Sequence, residues 1–144
     1  MIQPPQRRGR TEYKKPGKVN AVSISLLVIV GIIAYVVYSL WPVVTLRLRV
    51  KAELEDILPN FYRVNLRPDD FARVEILRMK KELLAKLPTL GVKDKQVEVV
   101  FDRGKKRVGI EARFSTTVTF PVLNKTKTFH LAPRAETDAA RVDW

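Results

Sequence analysis

Hydrophobic residues follow three successive patterns along the chain. From Ala21 to Trp41 they run almost unbroken, AVSISLLVIVGIIAYVVYSLW, with no charge between Lys18 and Arg47. As a helix this stretch is about 31 Å long, against a hydrocarbon core of about 30 Å. Twelve of its residues are Leu, Ile or Val, and together they favour the bilayer by roughly 4–7 kcal/mol. The pattern predicts a transmembrane helix over residues 19–41. A cleaved leader has a shorter apolar stretch, about 7–15 residues, and a small-x-small exit. Here the exit is Tyr38-Ser39-Leu40-Trp41-Pro42, so the segment is expected to stay as an anchor. Tyr35, Tyr38 and Trp41 gather near its end, where amphipathic rings suit the headgroup level.

The second pattern has steps of three and four. Val43, Leu46, Val50, Leu54 and Ile57 recur at helical spacing, although Leu46, Leu48 and Val50 also alternate as in a strand. Charge pairs at i,i+4, Arg49–Glu53 and Lys51–Glu55, favour the helix, as does Pro42 at its first turn. A helical stalk over residues 42–58, separate from the membrane helix or a kinked continuation of it, is expected, lifting the next domain off the bilayer and ending at Pro59-Asn60. Residues 59–68 then read as a connector whose Phe61 and Tyr62 are candidate partner-binding aromatics, with burial in the adjacent core as the more common fate. A second helix opens at Asp69-Asp70, suited to the positive helix N-terminus, and presents Ala72, Ile76, Met79, Leu83 and Leu87 on one face. Pro88 should stop it and Gly91 help the chain turn.

The third pattern has a period of two. Val97, Val99 and Phe101 alternate, a turn follows at Asp102-Arg103-Gly104-Lys105, and Val108, Ile110, Ala112, Phe114, Val118 and Phe120 fall on even positions. Such alternation predicts one buried and one wet sheet face. A third strand follows over residues 126–131, with Phe129 and Leu131 inward. The expected fold class is α+β, a helix packed on a three-stranded antiparallel meander behind an N-terminal transmembrane helix and stalk. The layout is a basic tail (1–18), the membrane helix (19–41), the stalk (42–58), a small α+β domain (59–131) and a loose C-terminal tail (132–144) that ends in Trp144.

Charge adds direction to this layout. The tail holds Arg7, Arg8, Arg10, Lys14, Lys15 and Lys18 against Glu12 alone, a net +5 of the chain's +12. A comparable distance past the helix, Arg47, Arg49 and Lys51 are offset by Glu53, Glu55 and Asp56. The positive-inside bias predicts a cytoplasmic N-terminus and an extracytoplasmic domain, periplasmic in a Gram-negative cell. The six tail residues can also meet anionic lipid. The remaining +7 suits anionic headgroups, cell-wall polymers or acidic proteins, and this topology disfavours nucleic acid.

Candidate chemistry is sparse. The absence of Cys excludes disulfides and thiol chemistry. His130 is the only histidine and has no carboxylate or Cys pattern nearby in sequence, a poor basis for a metal site. Ser115-Thr116-Thr117 supplies hydroxyls without a base in sequence range, and helix capping accounts for Asp69-Asp70. No glycine-rich phosphate loop precedes a helix. No catalytic, metal or cofactor residue is assigned. The membrane stretch lacks an ionisable group for ion or proton passage. Its one weak dimerisation cue is the small pair Ala21 and Ser25.

Gln6-Arg7-Arg8-Gly9, Trp41-Pro42-Val43, the helix around Ile76–Leu87 and the strand GIEARFSTTVTFPVLNK together resemble an uncharacterised bacterial family of small single-pass envelope proteins. The resemblance implies an inner-membrane anchor with a periplasmic α+β domain and no mechanism. The layout is also loosely similar to type IV pilins. It lacks their Gly-Phe processing junction at the apolar run and the Glu near its start. The expected function is that of a non-enzymatic single-pass protein that binds or scaffolds other envelope proteins, as in an accessory subunit of a larger membrane complex. The alternative is a basic ectodomain that binds anionic lipid or cell-wall polymer.

Overall fold

The computed structural model of the chain describes Gly17, residues 20–104 and residues 107–138. The six basic tail residues Arg7, Arg8, Arg10, Lys14, Lys15 and Lys18, and Trp144, lie outside the described residues. The chain forms two compact units, one ending at Ala34 and one beginning at Tyr35. In the first, the described side chains of helix α1 are exposed from Ala21 onward. The second holds all remaining elements.

α1 runs from Ala21 to Asn65 and α2 from Asp69 to Leu90. Among the described residues four antiparallel strands follow: β1 (Glu98–Arg103), β2 (Arg107–Phe120), β3 (Lys125–Leu131) and β4 (Arg134–Asp138). The fold is α+β, as its patterning predicts.

α1 continues through both Pro42 and Pro59. A proline removes one intrahelical hydrogen bond and disfavours the helical conformation of its predecessor. Burial on either side outweighs that cost. Val43, Leu46, Val50, Leu54, Leu58 and Phe61 form one continuous inward stripe across Pro59. The segment expected as a stalk over 42–58 is therefore the central helix of the core, and residues 59–65 of the expected connector are its last turns. The strand alternative for this segment is overturned by the same stripe.

Leu66, Arg67 and Pro68 turn the chain back into α2. Asp69 and Asp70 occupy its first turn, as expected from the helix dipole. Ala72, Leu83 and Leu87 are buried, with Ile76 and Met79 packed beside them. Pro88 does not stop this helix but lies in its last turn. Gly91 does, in a left-handed conformation (φ 107°) that a side chain rarely adopts, with its N–H directed at Leu87 O and Pro88 O.

The sheet supplies the other layer. Val99, Val108, Ile110, Ala112 and Phe114 join Leu46, Val50, Leu54, Phe61, Leu83 and Leu87 in one core. β2 is central: Val99 opposes Ala112 on one side, and Phe114 opposes Leu131 on the other. Glu111 opposes Arg134 with the same offset, so β4 continues the ladder of β3. The interruption is at Pro133, which accepts from Ala112 N–H at 3.1 Å but has no N–H to return. Residues 134–138, expected within a loose tail, are thus strand, and Ala135 is buried in the core. The meander has the expected three-stranded course, with its last strand broken in two.

Candidate functional site

The sheet's outer face is a web of opposite charges. Arg134 reaches from β4 across Gly109 to Asp102 on β1 (3.2 Å), and also pairs with Glu111 (3.7 Å) and Glu136. The crossing passes close over Gly109: a Cβ there would lie 3.4 Å from Ala135 O and from Nε and Nη2 of Arg134, at the near edge of ordinary van der Waals contact. Arg113 bonds Glu111 at 2.5 Å, which raises the pKa of its guanidinium. At one end of the domain Arg103 bonds Asn65 (2.7 Å) and Asp69 (3.1 Å), tying β1 to both helices at their turn. These groups satisfy one another and offer a ligand little unspent charge.

A polar cluster lies towards the other end. Asp94 accepts from Gln96 N–H (2.9 Å) and from Ser115 N–H (2.7 Å), and these two bonds lower its pKa. In the β1–β2 register the residue opposite Ser115 would be Gln96, two positions before β1 begins. Asp94 thus stands in for a missing rung of the ladder. On the other side, Ser115 Oγ lies 2.9 Å from His130 Nδ1 across the β2–β3 pair. Serine, histidine and aspartate come together here, although they are far apart in sequence. Their connectivity is not that of a nucleophilic triad, in which the carboxylate orients the imidazole and the imidazole activates the hydroxyl. Asp94 bonds the serine backbone, and His130 meets Ser115 through the nitrogen that a triad reserves for the carboxylate. The cluster borders an open groove of about 580 Å³ lined also by Arg49, Lys93 and Thr116.

Among the sequence-derived site residues, Phe61 is fully buried and meets Phe101 edge-on at 5.0 Å. It is a core residue and offers a partner no surface, which corrects its candidate partner-binding role. Tyr62 is half-buried against the same core. Tyr35, Tyr38 and Trp41 lie on α1, with Tyr38 and Trp41 exposed and Tyr35 half-buried.

One exposed apolar surface lies outside the sequence-derived site residues. α2 has a second apolar stripe, Phe71, Val74 and Leu77, which are 69%, 67% and 66% exposed. Successive helical residues turn by about 100°, which places this stripe opposite Ala72, Ile76, Met79, Leu83 and Leu87. Leu66 in the preceding turn is equally exposed and adds to it. Arg78 flanks the stripe, held by Glu82 at 3.0 Å, which raises its pKa. The signal was present as apolar residues left over once the core face of α2 had been assigned.

No family model, curated protein or solved structure matches the chain. No group of three or more His, Cys, Asp or Glu among the described residues could hold a metal ion. α1 is long and apolar enough to cross a membrane.

Proposed function

We propose that the chain is a non-enzymatic single-pass protein of a bacterial inner membrane. In this reading α1 crosses the bilayer through residues 21–41, the basic tail stays in the cytoplasm, and the α+β domain stands in the periplasm and docks another envelope protein. The exposed stripe Phe71, Val74 and Leu77 carries the reading. Three large apolar residues on the outer side of a helix, with Leu66 beside them, form the kind of patch that marks an interaction surface. Lipid is a poor candidate to cover it. Leu66 follows Trp41 by twenty-five residues, about 37 Å along a helix axis. A partner that presents its own apolar helix face suits the stripe, with flanking Lys81 favouring an acidic residue at its rim.

Photo-crosslinking in native membranes tests this directly. A photoreactive amino acid at Val74 should give a discrete protein adduct, and the same group at Lys95, on a charged exposed loop, should not. No adduct at Val74, or equal adducts at both positions, would overturn the proposal.

A further inference from the structure

The turn between β2 and β3 presents two further exposed apolar side chains. It is Pro121-Val122-Leu123-Asn124, with Val122 77% and Leu123 62% exposed. Turn tips usually carry polar residues, so two large aliphatic side chains here call for an explanation. Asn124, in a left-handed conformation (φ 50°), closes the turn.

The tip's position supplies that explanation. Val122 N–H donates to Tyr35 Oη at 3.2 Å, which fixes the turn beside α1 at the level of Tyr35. Above it, Thr117, Val118, Thr119 and Pro121 line a shared cleft with Tyr38, Ser39, Trp41 and Pro42. Ser39 is small and buried, so the strand approaches α1 closely there. Tyr35 precedes Trp41 by six residues, about 9 Å along the helix axis.

The charge pattern of the hairpin points the same way. β2 carries Arg107, Glu111 and Arg113 in its first half and no charge from Phe114 to Phe120. The uncharged stretch extends through Asn124, and only then do Lys125 and Lys127 appear. Near the tip Thr119 and Thr126 pair their hydroxyls across the strands at 3.3 Å. β2 and the turn are therefore uncharged alongside the apolar end of α1, while Lys127 and Lys125 of β3 lie opposite Val118 and Phe120.

We infer that this hairpin tip is a second membrane contact: Val122 and Leu123 enter the headgroup–acyl boundary of the leaflet facing the domain, and Lys125 and Lys127 reach up to its phosphates. The inference rests on the reading of α1 as a membrane span. With Trp41 at the headgroup level, a tip about 9 Å deeper lies within the roughly 5–10 Å reached by interfacial apolar groups. The domain would then be held against the bilayer at two points, which fixes its rotation about the α1 axis and the direction in which α2 faces.

The chain has no cysteine, so single environment-sensitive labels can be placed without background. Full-length protein carrying Leu123→Cys, Arg113→Cys or Val30→Cys is labelled and reconstituted in phosphatidylcholine–phosphatidylglycerol vesicles containing nitroxide lipids. Leu123 is exposed at a turn, so its replacement leaves the fold intact. The label at 123 should be blue-shifted and quenched by a shallow nitroxide about twofold or more beyond the label at 113, as expected for an interfacial group. The label at 30 should respond to a deep nitroxide. A label at 123 that behaves like that at 113, while 30 is quenched, overturns the hairpin contact and leaves the membrane span standing. Loss of quenching at 30 overturns the span and the inference together.

Discussion

Replacing Phe61 with alanine asks whether the chain beyond the apolar stretch is a stalk or the centre of the domain. Phe61 is fully buried in the last turns of α1 and meets Phe101 of β1 at 5.0 Å, 63° from parallel. It also lies beyond Pro59, in a part of the helix that exists because its inward face is covered. Truncating a buried Phe costs about 3–5 kcal/mol, through lost transfer free energy and the cavity left behind. A domain of this size has a total stability of about 5–15 kcal/mol. Each kcal/mol lowers the melting temperature by about 4–8 °C, so Phe61→Ala should lower it by at least about 12 °C. The assay is thermal and urea unfolding of the full chain in mild detergent, followed by circular dichroism. Leu66→Ala is the control: five residues further on and largely exposed, it should change stability by less than about 0.5 kcal/mol. If the two variants were equally and weakly affected, residues 42–65 would be a solvated stalk and the core described here would be wrong.

Three further expectations follow from particular contacts. Gly109→Val should push Arg134 away from Asp102 and destabilise the sheet by about 1 kcal/mol, a measure of the cross-strand charge web; an unchanged urea midpoint would contradict it. Asp94 has a lowered folded-state pKa, so its stabilising effect is present above the unfolded value near pH 3.9 and is lost as pH falls through the lower folded value. Asp94→Asn should therefore be less stable than the parent at pH 7, with the difference shrinking in acid; a difference independent of pH would show that the carboxylate charge is irrelevant to the Ser115 and Gln96 bonds. Serine at Phe71, Val74 and Leu77 together should abolish a crosslink from Leu66 to a partner while leaving the melting temperature within a few degrees, because these side chains are mostly exposed. A crosslink that survives would remove the stripe from the interface.

Periodicity carried most of the fold. The even-numbered positions of β2 turned inward as their alternation requires, and the core face of α2 is the one its spacing marks. Pro59-Asn60 is a local stop signal, whereas the continuation of α1 belongs to Leu58 and Phe61 and the surfaces that cover them. β4 was hidden for a related reason. Arg134-Ala135-Glu136 has one small apolar residue and follows a proline, and it becomes a strand only because β2 already presents an open edge in register. At the candidate sites, the cluster of Asp94, Ser115 and His130 depends on hairpin register, which the sequence approaches only through the position of the turn at 121–124. The outward stripe of α2 and the apolar tip at Val122-Leu123 were legible as residues but not as surfaces. An apolar residue that does not fit the core pattern acquires meaning only when the core is seen to be complete without it.

In the proposed topology the anchored domain stands on the far side of a membrane from the basic tail. The most direct test of this topology is cysteine accessibility in intact spheroplasts, using a membrane-impermeant maleimide on full-length chains that each carry one introduced cysteine, at Arg10 or at Lys81. Position 81 should be labelled in intact spheroplasts and position 10 only after lysis. Labelling at 10 and protection at 81 would reverse the orientation. Protection of both before lysis, with the protein recovered in the soluble fraction, would contradict the membrane anchor itself.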